Sequence, residues 1–297
     1  MSITLTPTYE VEAQDVEYLR HGSDVLQARI IRPMGDPPFP AMIDVHGGAW
    51  VSGDRTRGYE TKKHIARLGM VVISIDFRMP PVAGYPSSVA DVNYAVRWTK
   101  ANADSLGTVA EMVGIAGNSS GGHLAALSAM RPDDPRYNEI PNLGSWPQID
   151  ARVQWMIPMW PVISPLGRYR YAKQMLEEGR RKELTDLALP GHEQFWLTEE
   201  AMAEGDPVLA LERGERCELP PALCIQGSSD VAHPFAHLGR FVDLYSLAGG
   251  QIDLAIIPVP HGESLGAVLE HDPTSSAALG MFQRIAGFVR GVISGTD

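Results

Sequence analysis

The sequence predicts an α/β fold, a doubly wound and mostly parallel sheet of eight strands. Three observations carry this reading. Short runs rich in β-branched and apolar residues recur along the 297-residue chain. From the third run onward most are apolar throughout, the pattern of parallel strands covered on both faces. Helical periodicity fills the gaps between them, so the chain reads as repeated βα units.

The elements follow in order. Val16–Leu19 and Val25–Ile31 come in close succession and predict an antiparallel pair. The remaining strands are Ala41–Val45, Met70–Phe77, Met112–Ala116, Val153–Met159, Ala222–Gln226 and Ile252–Val259. Helices are expected over Thr56–Leu68, Ser87–Ala103, Gly122–Met130, Pro234–Ala248 and Ser275–Val292. Two segments break the rhythm. Arg131–Asp150 is rich in Pro, Asp and Asn and reads as a surface excursion. Trp160–Glu218 is far longer than a crossover needs, with helical patterns at Tyr169–Glu183 and Thr198–Ala203. It reads as a helical cap inserted at about 160–218, over the sheet edge where open α/β folds bind ligands. No repeat or linker divides the chain, so residues 1–297 are expected to form one domain.

Composition narrows the function classes. Hydrophobic residues make up 44% and charged residues 21%, as in an ordinary globular protein. A net charge of −11 lacks the basic footprint of a nucleic-acid binder. The start, Met1-Ser2-Ile3-Thr4-Leu5, has no basic region followed by an apolar core, and no apolar run reaches the roughly 18 residues that span a bilayer. Two cysteines, Cys217 and Cys224, are too few for a disulfide scaffold. A cytoplasmic protein is expected, without nucleic-acid or membrane partners.

The chemistry is concentrated in four motifs. Gly117-Asn118-Ser119-Ser120-Gly121 follows a strand and opens a helix. In that setting Gly-x-Ser-x-Gly holds a serine on a sharp elbow with its hydroxyl exposed, which makes Ser119 the candidate nucleophile. The pentamer alone is weak in a chain with 29 glycines, so context decides. His46-Gly47-Gly48-Ala49-Trp50 follows the third strand, and its glycines leave backbone N–H groups unshielded for a developing oxyanion. Gly47, Gly48 and, from the elbow, Ser120 are the expected donors, with His46 bracing the loop. Asp230, at a strand end, stands where an acid could orient an imidazole, and His261 ends the last strand. Ser119…Asp230…His261 is the chain order expected of a nucleophile, acid and base in this fold. His261 would take the serine proton, and Asp230 would hold the ring and stabilise the imidazolium.

On these motifs the chain resembles the α/β-hydrolase superfamily, and within it the esterases with an HGG oxyanion motif. HGGAW, GNSSGG, the GSSD turn and PHGE carry the resemblance, from about Val25 to Val292. It departs from the hormone-sensitive-lipase-like pattern at Ala49, Asn118 and Ser120, and is similar to the compact feruloyl-esterase-like and kynurenine-formamidase-like members. The resemblance implies a serine hydrolase that cleaves small to medium carboxylic esters through an acyl-enzyme, with no cofactor and no metal. Amide, formamide, carbamate or lactone hydrolysis would use the same triad, and a non-catalytic ligand-binding relative is a third option. Homodimerisation follows only from family habit.

Weaker signals complete the reading. His233 and His237 lie four apart on an expected helix, as a metal pair would, but lack a third ligand. Asp206 is a second-choice acid. Trp50 and Trp160 follow C-terminal strand ends and are the expected substrate-binding aromatics.

Overall fold

Eight strands form one sheet in the order β1-β2-β4-β3-β5-β6-β7-β8 in a computed structural model that describes residues 8–142, 144, 148–261 and 263–295. Met1–Leu5, part of the 131–150 excursion and Gly262 of the PHGE motif lie outside the described residues.

The elements run β1 Val11–His21, β2 Asp24–Pro33, β3 Ala41–Val45, α1 Tyr59–Arg67, β4 Val71–Ile75, α2 Ser87–Ala101, α3 Ala103–Leu106, β5 Val113–Asn118, α4 Ser120–Met130, β6 Met156–Met159, α5 Pro165–Glu177, α6 Lys182–Trp196, α7 Glu199–Glu204, α8 Pro207–Glu212, β7 Ala222–Gly227, α9 Phe235–Leu247, β8 Ile252–Ile257, α10 Leu265–His271 and α11 Ser276–Ser294. The pairings β1–β2 and β2–β4 are antiparallel, and every pairing from β4 through β8 is parallel.

Burial explains the strand patterns. β3, β4, β6 and β7 are buried at every residue because helices cover both faces. β8 is an edge strand and alternates over its second half, with Ala255 and Ile257 buried and Ile256 between them exposed. On one face Val89, Leu124, Leu127 and Phe241 bring α2, α4 and α9 onto the sheet. On the other, Ile65, Leu269, Phe282 and Ile285 bring α1, α10 and α11.

The strand order reverses around β3, which lies between β4 and β5. Ligands bind at such a switch point, outside the carboxyl ends of the strands. Here those ends carry the His46–Trp50 loop and the Ser119 turn.

Between β6 and β7 stand four helices, α5 to α8, rather than the two patterns expected. The reason is local chemistry. α6 continues through Pro190 and Gly191, which read as breakers in sequence. α8 is a short helix with Pro207 in its first turn and Asp206 as its cap.

Candidate active site

The elbow is built as its glycines require. Ser119 has φ 53° and ψ −120°, a strained conformation held by Ser119 N–H donating to Met159 O (3.0 Å) and Val162 N–H donating to Ser119 O (3.0 Å). A Cβ on Gly121 would lie 2.1 Å from Val45 O and 2.4 Å from His46 O, so only glycine lets α4 approach β3.

The His46–Trp50 loop lies against that turn. A Cβ on Gly47 would be 3.2 Å from Ser119 Cβ. Gly48, Ala49 and Trp50 all have positive φ, and Trp50 N–H donates to Ser120 Oγ (3.1 Å). The side chain of Ser120 therefore braces the loop whose glycines were expected to serve the oxyanion. His46 is buried, shares a hydrogen bond with Gly47 O (2.9 Å) and stacks on Phe77.

Ser119 Oγ has an imidazole partner, and it is not the one that chain order selected. His233 Nε2 lies 3.0 Å from Ser119 Oγ, and His233 Nδ1 lies 2.9 Å from Asp230 Oδ2. His261 stands on the turn after β8 and is exposed, with no hydrogen bond to Ser119 or Asp230 among the described residues. The cause is the turn that Asp230 makes. Its Oδ1 accepts from the N–H groups of Ala232 (2.8 Å) and His233 (3.0 Å). This Asx-type turn folds the third residue back over its own acid. His233, which the sequence offers only as half of a metal pair, is thus the imidazole that the structure brings to Ser119 and Asp230, and the Asp-x-x-His-Pro spacing is the available signal.

The titration of these groups follows from their surroundings. Burial holds the His233 imidazole below its ordinary value, Asp230 pulls it upward and the Arg168 charge pushes it down. Burial alone would raise the Asp230 carboxyl. The hydrogen bond and charge of His233, with the backbone N–H donors, outweigh burial and leave it lowered. Asp206, the second-choice acid, is occupied elsewhere. It caps α8 through Val208 and Leu209 N–H and accepts from Ser164 Oγ (2.6 Å), and burial pushes it up to about 6.

The two expected aromatics are placed differently. Trp50 is fully buried, stacked on Phe195 at 5.4 Å and edge-on to His123, His192 and Trp196. It is a pillar between the sheet and the inserted helices. Trp160 is 6% exposed and lines a cavity of about 50 Å³ beside Asn118, together with Met159, Gly266 and Leu269. His237 packs on α5, its Nε2 3.0 Å from where a Cβ on Gly167 would be. Among the described residues, no group of three or more His, Cys, Asp or Glu could hold a metal ion.

Comparison with known proteins agrees with this architecture. The BD-FAE family model matches residues 30–237, a span containing Ser119, Asp230 and His233. Esterase LipC of Mycobacterium tuberculosis is 30% identical over 256 residues, covering 83% of this chain and 58% of LipC. The probable carboxylic ester hydrolase LipM of the same organism is 33% identical over 211 residues, covering 69% of this chain and 44% of LipM. The chain thus spans about half the length of these curated relatives. Among solved structures, esterase B from Lactobacillus rhamnosis superposes with a TM-score of 0.78 at 17% identity, covering 99% of this chain and 90% of that one. The Pyrobaculum calidifontis esterase gives 0.73 at 23% identity, over 97% and 86%. The fold is that of the α/β-hydrolase esterases, and the chain belongs to the BD-FAE family.

Proposed function

We propose that the protein is a serine hydrolase of small to medium carboxylic esters, working through Ser119, His233 and Asp230. The contact of Ser119 Oγ with His233 Nε2 at 3.0 Å carries this reading. A serine hydroxyl is a poor nucleophile until a base takes its proton, and Nε2 is within reach to do so. As Ser119 attacks the ester carbonyl, its proton passes to His233 Nε2. Asp230 Oδ2, on Nδ1, stabilises the imidazolium. The N–H groups of Gly47, Gly48 and Ser120 are the proposed donors to the tetrahedral oxyanion. Collapse breaks the C–O bond, His233 returns the proton to the departing alcohol, and an acyl-Ser119 remains. Water then attacks with its proton going to His233, and collapse frees the acid and restores Ser119.

The helices between β6 and β7 serve, in this reading, as the cap over the site. The free thiols of Cys217 and Cys224 support a reducing, cytoplasmic setting.

His261 is the competing base, favoured by its place after the last strand. The test compares Ser119→Ala, His233→Ala and His261→Ala on p-nitrophenyl esters of increasing chain length. Ser119→Ala and His233→Ala are expected to lose roughly 10⁴-fold or more in kcat, with His261→Ala within about threefold of the parent. An inactive His261→Ala beside an active His233→Ala would transfer the base to His261. An active Ser119→Ala would end the serine mechanism.

A further inference from the structure

Arg168 is an expensive residue to keep where it is. It lies in the first turn of α5 and is 2% exposed. It makes no ion pair among the described residues, and its buried Nη1 finds no hydrogen-bond partner. A guanidinium removed from water without a carboxylate on it costs stability. Burial pushes it down to about 10, with Asp230 pulling the other way, so it remains a cation at neutral pH.

A side-chain hydrogen bond of Arg168 reaches the relay. Arg168 Nε–H donates to Ala232 O at 2.9 Å. Ala232 precedes His233, and its own N–H is bound to Asp230 Oδ1. On the other side, Gln226 Nε2 of β7 donates to His233 O (3.2 Å). The loop bearing acid and base is therefore held between a strand of the sheet and a helix of the insertion.

We propose that Arg168 is a positioning residue for the relay: it fixes the Ala232 peptide and places a positive charge beside the turn that bears Asp230 and His233. The proposal rests on the Ser119–His233–Asp230 reading, and it makes the insertion a working part of the catalytic centre.

The charges around His233 are few. Asp230 faces it from its own loop and Arg168 from α5. From the turn between β5 and α4 comes the Ser119 hydroxyl. His237 on α9 and His192 on α6 are both held low, by burial first and by the Arg168 charge second, so they stay neutral near pH 7. Burial is the largest influence on His233, and Arg168 is the cation that adds to it in lowering the acid limb of activity.

The experiment is the pH profile of kcat and kcat/KM for Arg168→Met and Arg168→Lys, measured in the full chain beside His233→Ala, with melting temperatures. Arg168→Met is expected to lower kcat by about tenfold to a hundredfold, with KM changed far less, because a small misplacement of a base is costly. Its acid limb should move to higher pH. Arg168→Lys keeps the charge and should return the acid limb to its parent position while kcat stays low. Loss of packing alone would lower the melting temperature without moving the acid limb. An Arg168→Met protein with parental kcat and an unmoved acid limb overturns the proposal. So does an Arg168→Lys acid limb that coincides with that of Arg168→Met. If His233→Ala is inactive while Arg168→Met matches the parent, only the Arg168 role falls. If His233→Ala is active, the underlying relay falls with it.

Discussion

Trp50 and His233 show what single residues can and cannot reveal in advance. Both are aromatic side chains near strand ends, and the structure gives each a set of partners that the sequence does not announce. Trp50 contacts Phe195, Trp196, His192 and His123, and Nε1–H donates to His123 Nδ1 (3.2 Å). Trp50→Ala is therefore expected to cost about 3–5 kcal/mol of stability, read as a lower denaturant midpoint at an unchanged slope. The Ser119 elbow, the Asp230 turn after β7 and the glycine turn at Gly47 and Gly48 are legible as structure because their requirements are local: a strained turn, an acid after a strand, a backbone with no side chains on it. The partner of Ser119 is not, because two histidines satisfy the sequence pattern. Only the Asx-type turn of Asp230, a matter of backbone direction, brings His233 rather than His261 to the serine.

At the scale of elements, the helix α4 and the strand β3 meet through a missing side chain. Gly121→Ala sets a Cβ against two backbone carbonyls that cannot move without displacing the His46–Trp50 loop. The variant is expected to melt at a lower temperature and to lose most of its ester turnover, both measurable on the soluble fraction. The eight strands and the helices covering them were readable because each repeats a strong period. The insertion was only half readable. α5 and α7 fall near their expected places, but α6 runs through Pro190 and Gly191 because tertiary packing of Phe195 and Trp196 outweighs local propensity. The excursion after α4 is also less detached than its composition suggests. Tyr137 is fully buried, and Arg131 pairs with Glu204 of α7 at 2.7 Å and with Glu215.

Across the whole molecule, buried histidines tie stability to pH. Burial presses His123 down to about 4 and His192 to about 3, and both accordingly remain neutral in the folded protein. In the unfolded chain they protonate near 6.5. As pH falls through 6.5 the unfolded state binds protons that the folded state refuses, so their contribution is complete above that value and is lost on the way to 4. Asp206 acts oppositely between about 6 and 4, since its folded carboxyl binds a proton first. Two histidines outweigh one carboxyl, and the melting temperature is expected to fall between pH 7 and pH 5. His123→Gln should flatten that fall, which differential scanning calorimetry at several pH values would show.

The placement of Asp230 and His233 on one short turn has a mechanical consequence. When acid and base come from two separate loops, each loop is an independent hinge, and their fluctuations add at the nucleophile. Here a single tile of backbone, hydrogen-bonded within itself, carries both groups, so they drift together and the distance between them is insulated from breathing of the sheet edge. In the proposed relay the turn after β8 is released from alignment duty. It becomes a graft site, where residues can be exchanged or added without detuning the relay, and where variation among close relatives would accumulate first.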